Sequence, residues 1–86
     1  MNRVFIDVRE PNEYAKAHIN GALNIPPAEL INGTPKLKEI PKDAEIILYC
    51  VSGSRSRVSM NLLRQMGFTN LTNGINIDHV SKTYNL

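Results

Sequence analysis

The sequence predicts an α/β fold, a parallel sheet flanked by helices. The first observation is alternation. Short runs rich in β-branched and aromatic residues, at 4–8 and 45–49, are separated by helical patterns, the order that parallel sheets with right-handed crossovers require. The second is size: 86 residues imply one domain, 1–86, with one modest core. The third is composition, 42% hydrophobic and 21% charged, which is that of an ordinary folded chain rather than a disordered one.

Val4-Phe5-Ile6-Asp7-Val8 reads as a strand near the sheet centre, with Asp7 out of place in a plain core strand. Pro11 fits the first turn of a helix, where its missing N–H costs nothing, and Glu13 lies in that favourable negative turn. The helix runs to Lys16 or Ala17, and residues 18–21 turn the chain. Residues 22–25 form a second short strand, stopped by Pro26-Pro27, and Pro27 opens a helical turn through Leu30 or Ile31. Asn32-Gly33-Thr34-Pro35 is a strong turn signal, and residues 36–40 form one further helical turn. The third strand is 45–49, and Cys50 follows it. After a short polar loop comes the clearest helix. Val58, Leu62, Leu63 and Met66 mark its core face, Gly67 is its left-handed cap, and Phe68 folds back onto the last turn. Residues 69–72 read as a fourth strand, Asn73-Gly74 as a turn, and 75–84 as a weakly amphipathic helix.

Ten Lys/Arg against eight Asp/Glu leave a net charge of +2, spread along the chain, which gives no case for nucleic acid. No apolar run approaches a membrane span. Met1-Asn2-Arg3 leads straight into the first strand without a signal peptide, so the expected compartment is cytoplasmic, or periplasmic if a signal was removed. One cysteine excludes an intramolecular disulfide and a cysteine-cluster metal site, and two isolated histidines, His18 and His79, make no metal centre. No metal and no cofactor are expected.

That cysteine ends an apolar run, Ile46-Ile47-Leu48-Tyr49-Cys50, and is followed by Val51-Ser52-Gly53-Ser54-Arg55-Ser56 and a helix. Reactive groups of open α/β sheets lie at this end of the strands. A helix N-terminus and a nearby Arg lower a thiol pKa below its free value of about 8.5. Gly53 allows a tight curve whose N–H groups form an anion nest, and Ser52, Ser54 and Ser56 add small donors. The combination suits a thiolate or persulfide with an oxyanion beside it. A lone cysteine in other surroundings is a small buried hydrophobe.

The loop from Cys50 to Ser56 resembles the active-site loop of the rhodanese family. Independently, Asp7-Val8-Arg9, Glu13-Tyr14, His18-Ile19-Asn20-Gly21-Ala22 and Asn24-Ile25-Pro26 resemble that family's first signature in order and spacing. The resemblance covers nearly the whole chain and fits the small single-domain members. It implies a three-layer rhodanese-like fold with a central parallel sheet of four to five strands. It also implies a thiosulfate sulfurtransferase. The Cys50 thiolate takes the outer sulfur of thiosulfate or of a persulfide, and the N–H groups of Val51, Ser52, Gly53, Ser54 and Arg55 hold the Cys50 persulfide. A thiol or cyanide then accepts the sulfur, in ping-pong order. The partners implied are these small molecules, with no nucleic acid and no membrane, acting on a monomer.

Asp7, Arg9 and Ser56 are supporting residues in this reading. Asp7 and Arg9 brace the strand end, and Arg9 contributes positive potential. Glu13 is a helix-start residue or a partner of Arg9. His18 bonds across its turn, His79 lies at the surface, Tyr49 packs, and Arg57 faces the anion or solvent. Two departures from the family pattern stand out: Val51 where many members carry a basic residue, and Asn73-Gly74-Ile75 with no tryptophan where they carry a Gly-Gly pair and a Trp. Between Pro26 and Glu45 the chain is short, so one edge strand of five is expected to be vestigial. Two other classes stay open. One is a non-catalytic rhodanese-like binding or sulfur-carrier module. The other is a cysteine phosphatase, which places Arg after five intervening residues, where this chain has Ser56.

Overall fold

A computed structural model describes residues 3–86. The expectation for Met1 and Asn2 lies outside the described residues. The elements run β1 (Arg3–Asp7), α1 (Pro11–Lys16), β2 (Leu23–Asn24), α2 (Pro27–Asn32), a single 3-10 turn (Pro35–Leu37), β3 (Glu45–Cys50), α3 (Ser54–Gln65), β4 (Leu71–Asn76) and α4 (Ile77–Thr83). Four strands pair in the order β2-β1-β3-β4, all parallel. Among the described residues there is no fifth strand, in line with the short stretch between Pro26 and Glu45.

Side-chain alternation splits the core between the two faces of the sheet. Ile6 and Val8 near the end of β1, with Ile46, Leu48 and Cys50 of β3, pack against Leu30 of α2, Leu63 of α3, and Phe68. Ile47 and Tyr49 point the other way, toward Ile19, Tyr14 of α1, and Ile77 and Val80 of α4. Helices therefore cover both faces, so the central strands are apolar on both sides. Each fully buried Ile or Leu contributes about 1.5–3 kcal/mol. The end of α3 matches its sequence. Gly67 takes φ 101°, its N–H donates to the Arg64 carbonyl at 3.0 Å, and the Phe68 N–H donates to the Leu63 carbonyl at 3.1 Å. That double bond pattern is a Schellman cap, and it seats the ring of Phe68 in the core.

Three expectations fail. Asn73-Gly74 is not a turn: β4 runs straight through it. The Leu48↔Asn73 pair is followed by Tyr49↔Ile75, which leaves Gly74 as an extra, bulged residue. Gly74 stands there because a Cβ would lie 2.5 Å from Val80 Cγ2, 2.9 Å from Ile47 Cγ2 and 3.0 Å from the Leu48 carbonyl oxygen. The core face of α3 is Ser56, Ser59 and Leu63, whereas Val58 and Met66 are exposed and Leu62 is partly buried. Small residues occupy the first two positions because the helix starts directly over the Cys50 loop. The further helical turn begins at Pro35 and not at Lys36, with the Thr34 hydroxyl accepting from the Lys36 N–H.

Candidate active site

β3 delivers Cys50 as its last residue, on the face covered by α3, with 1% of its surface exposed. The chain then curves through Val51 and Ser52 to Gly53, which takes φ 93° and ψ −8° as the N-cap of α3. That left-handed conformation costs an ordinary L-residue roughly 1–2 kcal/mol, so glycine belongs there. The curve brings the Gly53 N–H back onto the sulfur, to which it donates at 3.1 Å. Ser56 is fully buried, its Oγ 3.5 Å from Cys50 Sγ. Twelve residues of α3 follow Gly53, so the positive end of the helix dipole faces the same sulfur.

Burial pushes the Cys50 thiol up. The Ser56 hydroxyl and the backbone N–H groups of Ser56, Gly53 and Val51 outweigh burial and bring the pKa down to about 7. A large share of Cys50 is thus thiolate at neutral pH. The cradle is therefore arranged somewhat differently from the expected run of amides at 51–55. Ser56 belongs to it fully, by hydroxyl and by N–H. Ser52 and Ser54 are exposed and bond one another, Oγ to Oγ at 3.2 Å. Val51 is 56% exposed at the rim.

Arg55 is not a free cation. Its two terminal nitrogens donate to Glu13 Oε1 at 2.7 Å and Oε2 at 3.2 Å, tying α3 to α1. The bond from Arg55, with one from the Glu10 N–H, holds the Glu13 carboxyl down at about 2. Of the two roles expected for Glu13, the helix-start one holds, its carboxylate accepting from the Glu10 N–H at 2.9 Å in a capping box, while its ion-pair partner is Arg55, 42 residues away in sequence, and not Arg9.

Arg9 belongs to Asp7. Asp7 Oδ1 accepts from the Arg9 N–H at 3.0 Å and from Nε at 2.9 Å, and Oδ2 accepts from Nη2 at 2.6 Å. Nη2 also donates to the Ala17 carbonyl at 2.6 Å, pinning the end of α1. Asp7 lies between Ile6 and Val8, which face α3, so its side chain is on the opposite side of the sheet from Cys50. The pair braces the strand end, as expected. Its charge is internally matched, so the positive potential expected of Arg9 at the sulfur is not supplied. His18 Nδ1 donates to the Tyr14 carbonyl at 2.8 Å and its ring stacks on Tyr14 at 3.7 Å. The Tyr49 hydroxyl accepts from the Ile19 N–H at 3.0 Å, so this packed side chain also anchors a loop.

Asn73 is the residue the sequence did not reveal. Its side chain contacts both Gly53 and Ser56. Asn-Gly followed by an apolar residue carries the same local signal whether the chain turns or bulges, so no pattern could have found it. A groove of about 350 Å³ lined by Leu37, Ile40, Met66 and Phe68 lies at the far end of α3 and holds none of the loop residues.

Comparison with known proteins agrees with this geometry. The model of the rhodanese-like domain family matches residues 1–76. The chain is 41% identical over 64 residues to the probable adenylyltransferase/sulfurtransferase MoeZ of Mycobacterium tuberculosis, covering 74% of this chain and 16% of that protein. It is 34% identical over 70 residues to the thiosulfate sulfurtransferase PspE of Escherichia coli, covering 80% of this chain and 65% of that one. Among solved structures, a rhodanese with anions from E. coli superposes with a TM-score of 0.78 at 29% identity, over 90% of this chain and 89% of that one. The chain spans between 16% and 65% of the length of these curated relatives. With the family model matched from residue 1 through β4, and the fold shared with a solved rhodanese, the chain belongs to the rhodanese-like domain family.

Proposed function

We propose that this chain is a sulfurtransferase that carries a sulfane sulfur on Cys50. The observation that carries the reading is the sulfur environment: Sγ at the N-terminus of α3, with the Gly53 N–H at 3.1 Å and the thiol brought down to about 7. In the first half-reaction the Cys50 thiolate attacks the outer sulfur of thiosulfate or of a persulfide. The donor S–S bond breaks and sulfite, or the donor thiolate, leaves with the electron pair. The Cys50 persulfide then sits in the amide cradle, where N–H groups stabilise an anionic sulfur without reorganising. In the second half-reaction a thiolate or cyanide attacks the terminal sulfur and Cys50 leaves as thiolate, ready for another cycle.

Of the two donors, a persulfide suits the rim better than the thiosulfate dianion. Val51 presents an apolar side chain and the charge of Arg55 is already matched by Glu13. The test is intact mass after mixing with either donor, together with turnover to cyanide. One added sulfur, lost in Cys50→Ser, and Cys50-dependent thiocyanate formation are expected. Absence of any adduct refutes the proposal, and an adduct without turnover assigns the chain to the sulfur-carrier class. Ser56, standing where a cysteine phosphatase needs Arg, is buried and bonded to Asn73, so no phosphate release from an aryl phosphate is expected.

A further inference from the structure

Beyond the immediate neighbour of Cys50, the groups at its sulfur come from two residues: the Gly53 N–H, and the hydroxyl and N–H of Ser56. Both residues are held by the same side chain. Asn73 Nδ2 donates to the Gly53 carbonyl at 3.0 Å, and the Ser56 hydroxyl donates to Asn73 Oδ1 at 2.6 Å. Oδ1 also accepts from the Ile75 N–H at 3.0 Å. The two backbone partners fix which way the amide points. A carbonyl on one side demands the NH₂, and an N–H on the other demands the oxygen.

The backbone of β4 departs from a regular strand at this point. Gly74 is bulged out of the ladder, and Ile75, a β-branched residue, takes φ 74°. A non-glycine residue held in that region stores of order 1–3 kcal/mol. Bulges beside sites re-aim side chains, and here Asn73 pairs with Leu48 on the α3 face, directed at the loop.

We infer that Asn73 is a positioning residue that, through one side-chain amide, holds both Gly53 and Ser56 in register with Cys50 Sγ. It does not touch the sulfur and acts through the two residues that do. The single proton of the Ser56 hydroxyl goes to Asn73 Oδ1 at 2.6 Å, which fixes Ser56 where its own N–H faces the sulfur, and without Asn73 that tether is gone. Gly53 then loses its lateral tether. Both changes loosen the Gly53 and Ser56 N–H donors at the sulfur and leave burial to act against the thiolate.

The inference rests on the sulfurtransferase reading for its biological meaning, but its test needs no sulfur donor. Asn73→Leu keeps the branched outline of the side chain, with greater bulk, and removes the hydrogen bonds; Asn73→Ala removes both. The Cys50 titration is followed by thiolate ultraviolet absorbance, with folding checked by circular dichroism. The midpoint is expected to rise by about one pH unit in either variant, a roughly tenfold smaller thiolate fraction below it. In a Ser56→Ala background the same Asn73 substitutions shift the midpoint by markedly less, because part of the effect runs through the lost hydroxyl. A folded variant that titrates like the parent overturns the inference, as does a shift undiminished in the Ser56→Ala background. If neither variant folds, Asn73 serves stability instead and the inference also fails. A midpoint shift in a chain that loads no sulfur leaves the inference standing and removes only the sulfurtransferase reading.

Discussion

Replacing Gly74 by alanine tests whether β4 is seated as described. The added methyl meets Val80 Cγ2 at 2.5 Å, Ile47 Cγ2 at 2.9 Å and the Leu48 carbonyl oxygen at 3.0 Å. Ile47 and Val80 are both fully buried, and the third atom is backbone of a central strand, so none can step aside cheaply. Overpacking of this kind costs typically about 1–3 kcal/mol. In a chain of this size each kcal/mol lowers the melting temperature by about 4–8 °C, so a fall of at least about 4 °C is expected. Thermal unfolding by circular dichroism and urea unfolding measure it, with an unchanged m-value showing that the native state alone is affected. Because Gly74 lies between Asn73 and Ile75, the same substitution also disturbs the amide that clips the loop. Gly74 does not take the positive φ that a glycine in an Asn-Gly turn needs, so the cost here is steric and comes from Val80, Ile47 and Leu48. A variant melting with the parent would refute the bulged-strand description and the placement of Asn73 with it.

Other outcomes are accessible by simpler measurements. With Cys50 at about 7, donor-loading rate should climb as pH rises through 7 and level off about one unit above it, whereas a free thiol of about 8.5 would still be climbing there. The sign for stability follows from the same depression. The folded chain releases this proton at lower pH than the unfolded one, so stability from this group is full above the unfolded pKa and is lost as pH falls toward about 7. Comparing urea midpoints of the parent and Cys50→Ser across that window isolates it, and a difference that does not vary with pH would count against the shifted thiol. Glu13→Gln keeps the oxygen that accepts from the Glu10 N–H but releases the charge of Arg55. The KM for thiosulfate should fall a few-fold, with the gain shrinking in high salt; an unchanged KM would show that Arg55 does not face the donor.

The sequence reads clearly where local chemistry and tertiary contacts agree. The run from Ile46 to Cys50, the glycine at 53 and the Gly67-Phe68 cap each behave as their residue types demand. It misleads where packing overrides a local signal. Asn-Gly is turn chemistry, yet at 73 and 74 the small residue is required by neighbouring side chains and the amide by a loop twenty residues earlier. The helix pattern misleads for a related reason. Counting hydrophobic residues selects Val58 and Met66, but the side of α3 nearest the sulfur loop buries Ser56 and Ser59 instead. The Glu13–Arg55 pair spans 42 positions and leaves no local trace.

The irregular course of β4 has a bearing on how copies of this chain behave toward one another. β2 is a two-residue edge, too short to template another strand. β4 is the opposite edge, six residues long, and a flat strand there would offer a row of free N–H and C=O groups to any passing chain. The bulge at Gly74 and the left-handed turn of Ile75 break that row in its second half. A second sheet cannot continue in register past them, so the kink that directs Asn73 at the loop also makes this edge a poor seed for aggregation.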